Sequence, residues 1–100
     1  GKYVMNYYVM EVADFAEPVE AYHQYLIEAE DYAMVKYWYH ASLKDRGYSQ
    51  QFGVEDNDLL HNDDGHAMEL INATELTSEE WVVMEKYISK WYKPRSLPVA

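Results

Sequence analysis

Residues 19–46 read VEAYHQYLIEAEDYAMVKYWYHASLKDR, and the reading of this stretch decides the fold. It contains neither Gly nor Pro, with Pro18 just before it and Gly47 just after. Pro suits the first position of a helix, where its missing N–H costs nothing, and Gly is a natural helix stop. One long helix is the simplest expectation. Tyr22, Leu26, Ala29, Ala33 and Tyr37 recur at helical spacing, and Tyr25, Tyr32, Val35, Trp38 and Tyr39 widen the stripe. The length exceeds the usual globular range, and residues 28–31 are where a break would fall.

Upstream, residues 3–13, YVMNYYVMEVA, predict a strand rich in Tyr and Val. Val4, Asn6, Tyr8, Met10 and Val12 share one face; Tyr3, Met5, Tyr7, Val9, Glu11 and Ala13 share the other. Both faces are largely apolar, so the strand is central or its second face meets a partner. Asp14 to Pro18 read as a turn into the helix. Downstream, residues 48–54 suit a short strand, with Tyr48, Gln50, Phe52 and Val54 on one side. Asp64-Gly65 signals a turn, and residues 66–73 suit a strand of imperfect alternation. Asp56 and Asn57, ahead of Leu59 and Leu60, equally suit the cap of a single helical turn. Thr77 and Glu80 form a capping box for a last helix over residues 77–92. Its face would carry Trp81, Met84, Ile88 and Trp91, and Pro94 closes it. The order β-α-β-β-α predicts a single α+β domain over residues 1–100. It would be a two-layer sandwich, with a small, mostly antiparallel sheet and both helices packed on one face.

Charge limits the partners. The formal net charge is −10, and residues 3–35 and 47–85 contain no Lys or Arg. Binding phosphates needs clustered cations, so direct nucleic-acid binding is not expected. Anionic membranes would repel the chain, and it has no long apolar run. No secretory signal is visible and there is no cysteine, so neither disulfides nor thiolate metal sites are expected. The expected location is cytoplasmic, in the host cell if the chain is phage-encoded.

Residues 54–66, VEDNDLLHNDDGH, concentrate carboxylates with His61 and His66. A calcium loop anchored on Gly65 would need ligands where Leu60 and Ile71 stand, so that motif fails. An irregular site from Asp56, Asp58, Asp63 and Asp64, or a zinc site from the two histidines and a carboxylate, lacks diagnostic spacing. A solvated loop is the plainer reading. There is no nucleophile elbow and no glycine-rich phosphate cradle, and His40 and Ser42 point to different sides of a helix. Neither an enzyme nor a cofactor is expected.

Eleven tyrosines exceed what a small interior can hold with every hydroxyl satisfied. Exposed Tyr beside carboxylates makes a contact surface for arginine, the ring giving area and cation–π attraction. In general character, such small, acidic, Tyr-rich domains without catalytic motifs resemble the anti-defence inhibitors of phages and mobile elements, anti-restriction and anti-CRISPR proteins among them. That resemblance implies mimicry of nucleic acid. The leading expectation is a non-enzymatic module for a basic, nucleic-acid-binding protein. The expected contacts are Glu17, Glu20, Tyr25, Glu28, Asp31 and Tyr32 on the first helix, with Asp56, Asp58, Asp63 and Asp64 on the loop. The alternatives are a homodimer sealed through the second face of residues 3–13, and a small metal-binding domain built on residues 55–66.

Overall fold

The computed structural model describes residues 4–16, 19–50 and 58–95. Its elements are β1 (Asn6–Ala16), β2 (Val19–Ala29), α1 (Tyr32–Asp45), β3 (Ser49–Gln50), β4 (Leu59–His61), β5 (Ala67–Leu76) and α2 (Ser78–Met84). The strands form one antiparallel sheet in the order β2-β1-β5-β4-β3. The α+β class is as expected, but the order within it is β-β-α-β-β-β-α.

The largest correction concerns residues 19–46. Their first half is not helix but β2, paired with β1 from Asn6↔Ala29 to Ala16↔Val19. Glu20, Tyr22, Gln24, Leu26 and Glu28 alternate with Ala21, His23, Tyr25, Ile27 and Ala29. Period two and period 3.6 both fit this stretch, and the eleven-residue ladder with β1 selects strand. The break falls where residues 28–31 placed it. Asp31 is the N-cap of α1, its carboxylate accepting from the Met34 N–H at 2.9 Å.

The loop leucines do not sit on a helical turn. Leu59 and Leu60 belong to β4, which pairs with β5, and Leu60 is buried. The Asp64-Gly65 turn is present: Gly65 has φ +79°, and the Asn62 side chain accepts from the Asp64 and His66 N–H groups. The predicted strand over residues 48–54 is seen as Ser49–Gln50; its remainder lies outside the described residues.

The two helices occupy opposite faces of the sheet rather than one. Tyr8, Met10, Val12, Ile27, Ala29, Met68 and Leu70 face α1, burying Val35, Tyr39 and Leu43. Tyr7, Val9, Leu26 and Leu76 point the other way, and Trp81, Met84 and Ile88 pack on them. Thus the second apolar face of β1 is met by α2. That helix ends earlier than predicted, at Met84, and Trp91 leaves its stripe. The chain then reaches the outer edge of β2. Leu26 N donates to Ser89 O at 2.9 Å, and Trp91 N donates to Leu26 O at 2.7 Å. Past this edge Trp91 enters the α1 side, stacking on Tyr39 and meeting Tyr25 edge-on.

Candidate functional site

The sheet face under α2 is only half covered. Beyond Trp81 the pairings set three rows across β2, β1 and β5: Gln24, Glu11 and Asn72; Tyr22, Ala13 and Glu69; Glu20, Phe15 and Ala67. All lie on the face of Val9 and Leu26 by strand alternation. Ala13 is fully buried, while Tyr22 beside it is 60 % exposed. The Tyr22 hydroxyl donates to Glu20 at 2.6 Å. That bond and the Glu20 charge hold the hydroxyl above its ordinary range, with smaller contributions from desolvation and from Glu11 and Glu69. An exposed ring therefore stands among three carboxylates. Among the described residues no Lys or Arg forms an ion pair with any of the three. At the margin, β5 bulges opposite Glu11 and Val12, and its extra residue, Ile71, is exposed.

The residues expected to bind a partner do not form one group. Glu20 belongs to the surface just described. Tyr25 points to the opposite face, half-buried against Trp91 at 5.0 Å between ring centroids. Glu28 is half-buried, and its carbonyl accepts from Lys93 Nζ at 2.5 Å. Asp31 and Tyr32 are exposed at the start of α1. Asp63 and Asp64 are exposed in the β4–β5 turn. Asp58 is half-buried, with Oδ1 2.9 Å from His40 Nε2 and Oδ2 3.6 Å from Lys36 Nζ. Glu17 and Asp56 lie outside the described residues. Glu20, expected on a helix, instead alternates with Tyr22 and Gln24 along one face of β2. Glu11 and Glu69 join the surface without having been expected there. The alternation of residues 20–24 and the isolated Glu11 among apolar neighbours were the available signals.

The histidines of the acidic loop separate. His66 contacts Asp14 through Nε2, and the other Asp14 oxygen lies 3.9 Å from His23 Nε2. His61 Nε2 is buried without a hydrogen-bond partner. Among the described residues no group of three His, Asp or Glu is placed to hold a metal ion. Nor is any helix among them long and apolar enough to cross a membrane. No family model matches the chain, no curated protein matches it in sequence, and no solved structure matches its fold.

Proposed function

We propose that the chain is a non-enzymatic module that docks on a cationic, nucleic-acid-binding protein through the open half of its sheet. The observation that carries this reading is the exposed Tyr22 ring amid Glu11, Glu20 and Glu69, with no cation paired to them among the described residues. An arginine can stack on the ring and pair with a carboxylate in one placement. Carboxylates fixed on strands lose little freedom when they bind, unlike those on a loose loop. Inhibition by nucleic-acid mimicry is the finer form of the proposal, since the surface would occupy a groove built for phosphates. The apolar surplus that favoured a homodimer finds its cover in α2, so the acidic surface is the better basis for a partner.

Binding of a synthetic arginine-rich peptide, followed by calorimetry, tests the proposal. Affinity is expected to fall steeply with salt. Reversal of Glu11, Glu20 and Glu69 to Lys should weaken binding by about tenfold or more, roughly 1.4 kcal/mol. Reversal of Asp45, Glu79 and Glu85, which changes net charge equally elsewhere, should weaken it far less. Equal losses from the two triple variants would reduce the effect to overall charge and defeat the proposal.

A further inference from the structure

The sheet edge beside this surface is open. β2 is an outer strand of eleven residues, paired with β1 without a register shift. Proteins usually blunt such edges with Lys, Pro or a bulge, because unpaired N–H and C=O groups recruit other strands. Residues 19–29 contain no Lys or Pro, and their ladder contains no bulge. Two positions are already used: Leu26 exchanges hydrogen bonds with Ser89 and Trp91, and the Glu28 carbonyl accepts from Lys93 Nζ. The groups of Leu26 thus point away from β1. Alternation aims those of Gln24, Tyr22 and Glu20 the same way, and those of Ala21, His23 and Tyr25 toward β1. Among the described residues no strand pairs with Gln24, Tyr22 or Glu20 on that side. An open hollow of about 570 Å³ runs along the edge, with Tyr22 to Tyr25 on one side and Tyr87 to Ser89 on the other. Tyr87, at its rim, is 84 % exposed.

We infer that this edge takes an extended, Arg- or Lys-bearing segment of the partner protein as an added strand. The inference rests on the acidic-surface reading and adds backbone pairing to it. Side chains of an added strand alternate between faces. Cations at every second position would fall beside Glu20 and Tyr22, with Glu11 and Glu69 further along the same face. The intervening side chains would lie beside His23 and Tyr25. A second copy of this chain is the poorer occupant, because each copy carries −10 and would bring its own Glu20 to the edge.

Amide hydrogen exchange on the whole chain tests this, using a peptide of alternating Arg and Val and the same peptide N-methylated along its backbone. The unmodified peptide should slow exchange at Tyr22 and Gln24 by about tenfold or more, and leave Ala21 and His23, already paired with β1, nearly unchanged. The N-methylated peptide has equal charge but cannot donate backbone bonds, and should protect neither. Gln24→Pro removes one outward N–H and leaves the β1 ladder intact; it should lose the peptide at an unchanged melting temperature. If the peptide binds while Tyr22 and Gln24 exchange as before, or if both peptides bind equally, edge addition is wrong and the acidic surface acts through side chains alone. If an alternating Glu–Val peptide protects the edge as well, the cationic occupant is wrong and the acidic-surface reading falls with it. Protection of the same amides by self-association, without peptide, would assign the edge to a second copy and overturn the inference.

Discussion

Tyr39 is fully buried, stacks on Trp91, and donates its hydroxyl to the Asp58 carbonyl at 2.7 Å. That bond ties α1 to the start of β4 and meets the demand of a buried phenol for a partner. Burial first, then the charges of Asp58 and Glu69, hold the hydroxyl far above its ordinary value of 10. The unfolded chain therefore loses this proton at lower pH than the folded one. The resulting stability is fully present below pH 10 and is lost as pH rises toward the folded value. Tyr8 and Tyr48 are raised in the same direction. Lys93, lowered by burial, works in the opposite sense. Tyr39→Phe should cost about 1–2 kcal/mol at neutral pH, through the lost hydrogen bond and the carbonyl left behind. In denaturant titrations the gap to the parent should narrow above pH 10, since Phe has no proton to lose.

At the scale of elements, α2 shows what local rules can secure. The capping box is present: Glu80 N donates to Thr77 Oγ1 at 3.1 Å, and Thr77 N donates to Glu80 Oε1 at 2.9 Å. Trp81 then packs on Tyr7 with ring centroids 4.9 Å apart. Trp81→Ala should cost about 3–5 kcal/mol and Thr77→Ala about 1 kcal/mol in thermal or denaturant unfolding. A Trp81 variant that melts like the parent would mean that α2 does not hold the second face. This helix start was legible because it depends on residues within one turn of each other, as was β1 from its Tyr and Val content. β2 was not, because its sequence suits both periods and only pairing with β1 distinguishes them. Nothing like Asn-Gly or Asp-Gly marks its junction with β1, and Pro18 matched a helix start equally well. The candidate surface inherited that error: Glu20 was identified, but Tyr22 joins it only through the alternation of β2, and Glu11 and Glu69 are neighbours only across the sheet. The length of α2 was overread because residues 89–91 bond to the edge of Leu26, a contact no local pattern encodes.

For the whole molecule, the net charge of −10 on a chain of 100 residues opposes compaction. Raising NaCl from ~0.01 M to ~0.15 M should raise the melting temperature, because screening relieves repulsion among the acidic groups. A fall across that range would mean that attractive ion pairs dominate instead. The crossing of residues 89–91 over the edge of β2 also sets an order of events during synthesis. On the ribosome, β1, β2, α1 and β5 are made before Trp91, yet the ring of Trp91 closes the interior between Tyr25 and Tyr39. Until it emerges, the nascent domain presents an apolar cleft on one side and, before α2, a bare sheet on the other. Folding to completion is therefore held back until translation has passed residue 91, and the interval before that is when chaperones have the most exposed surface to bind.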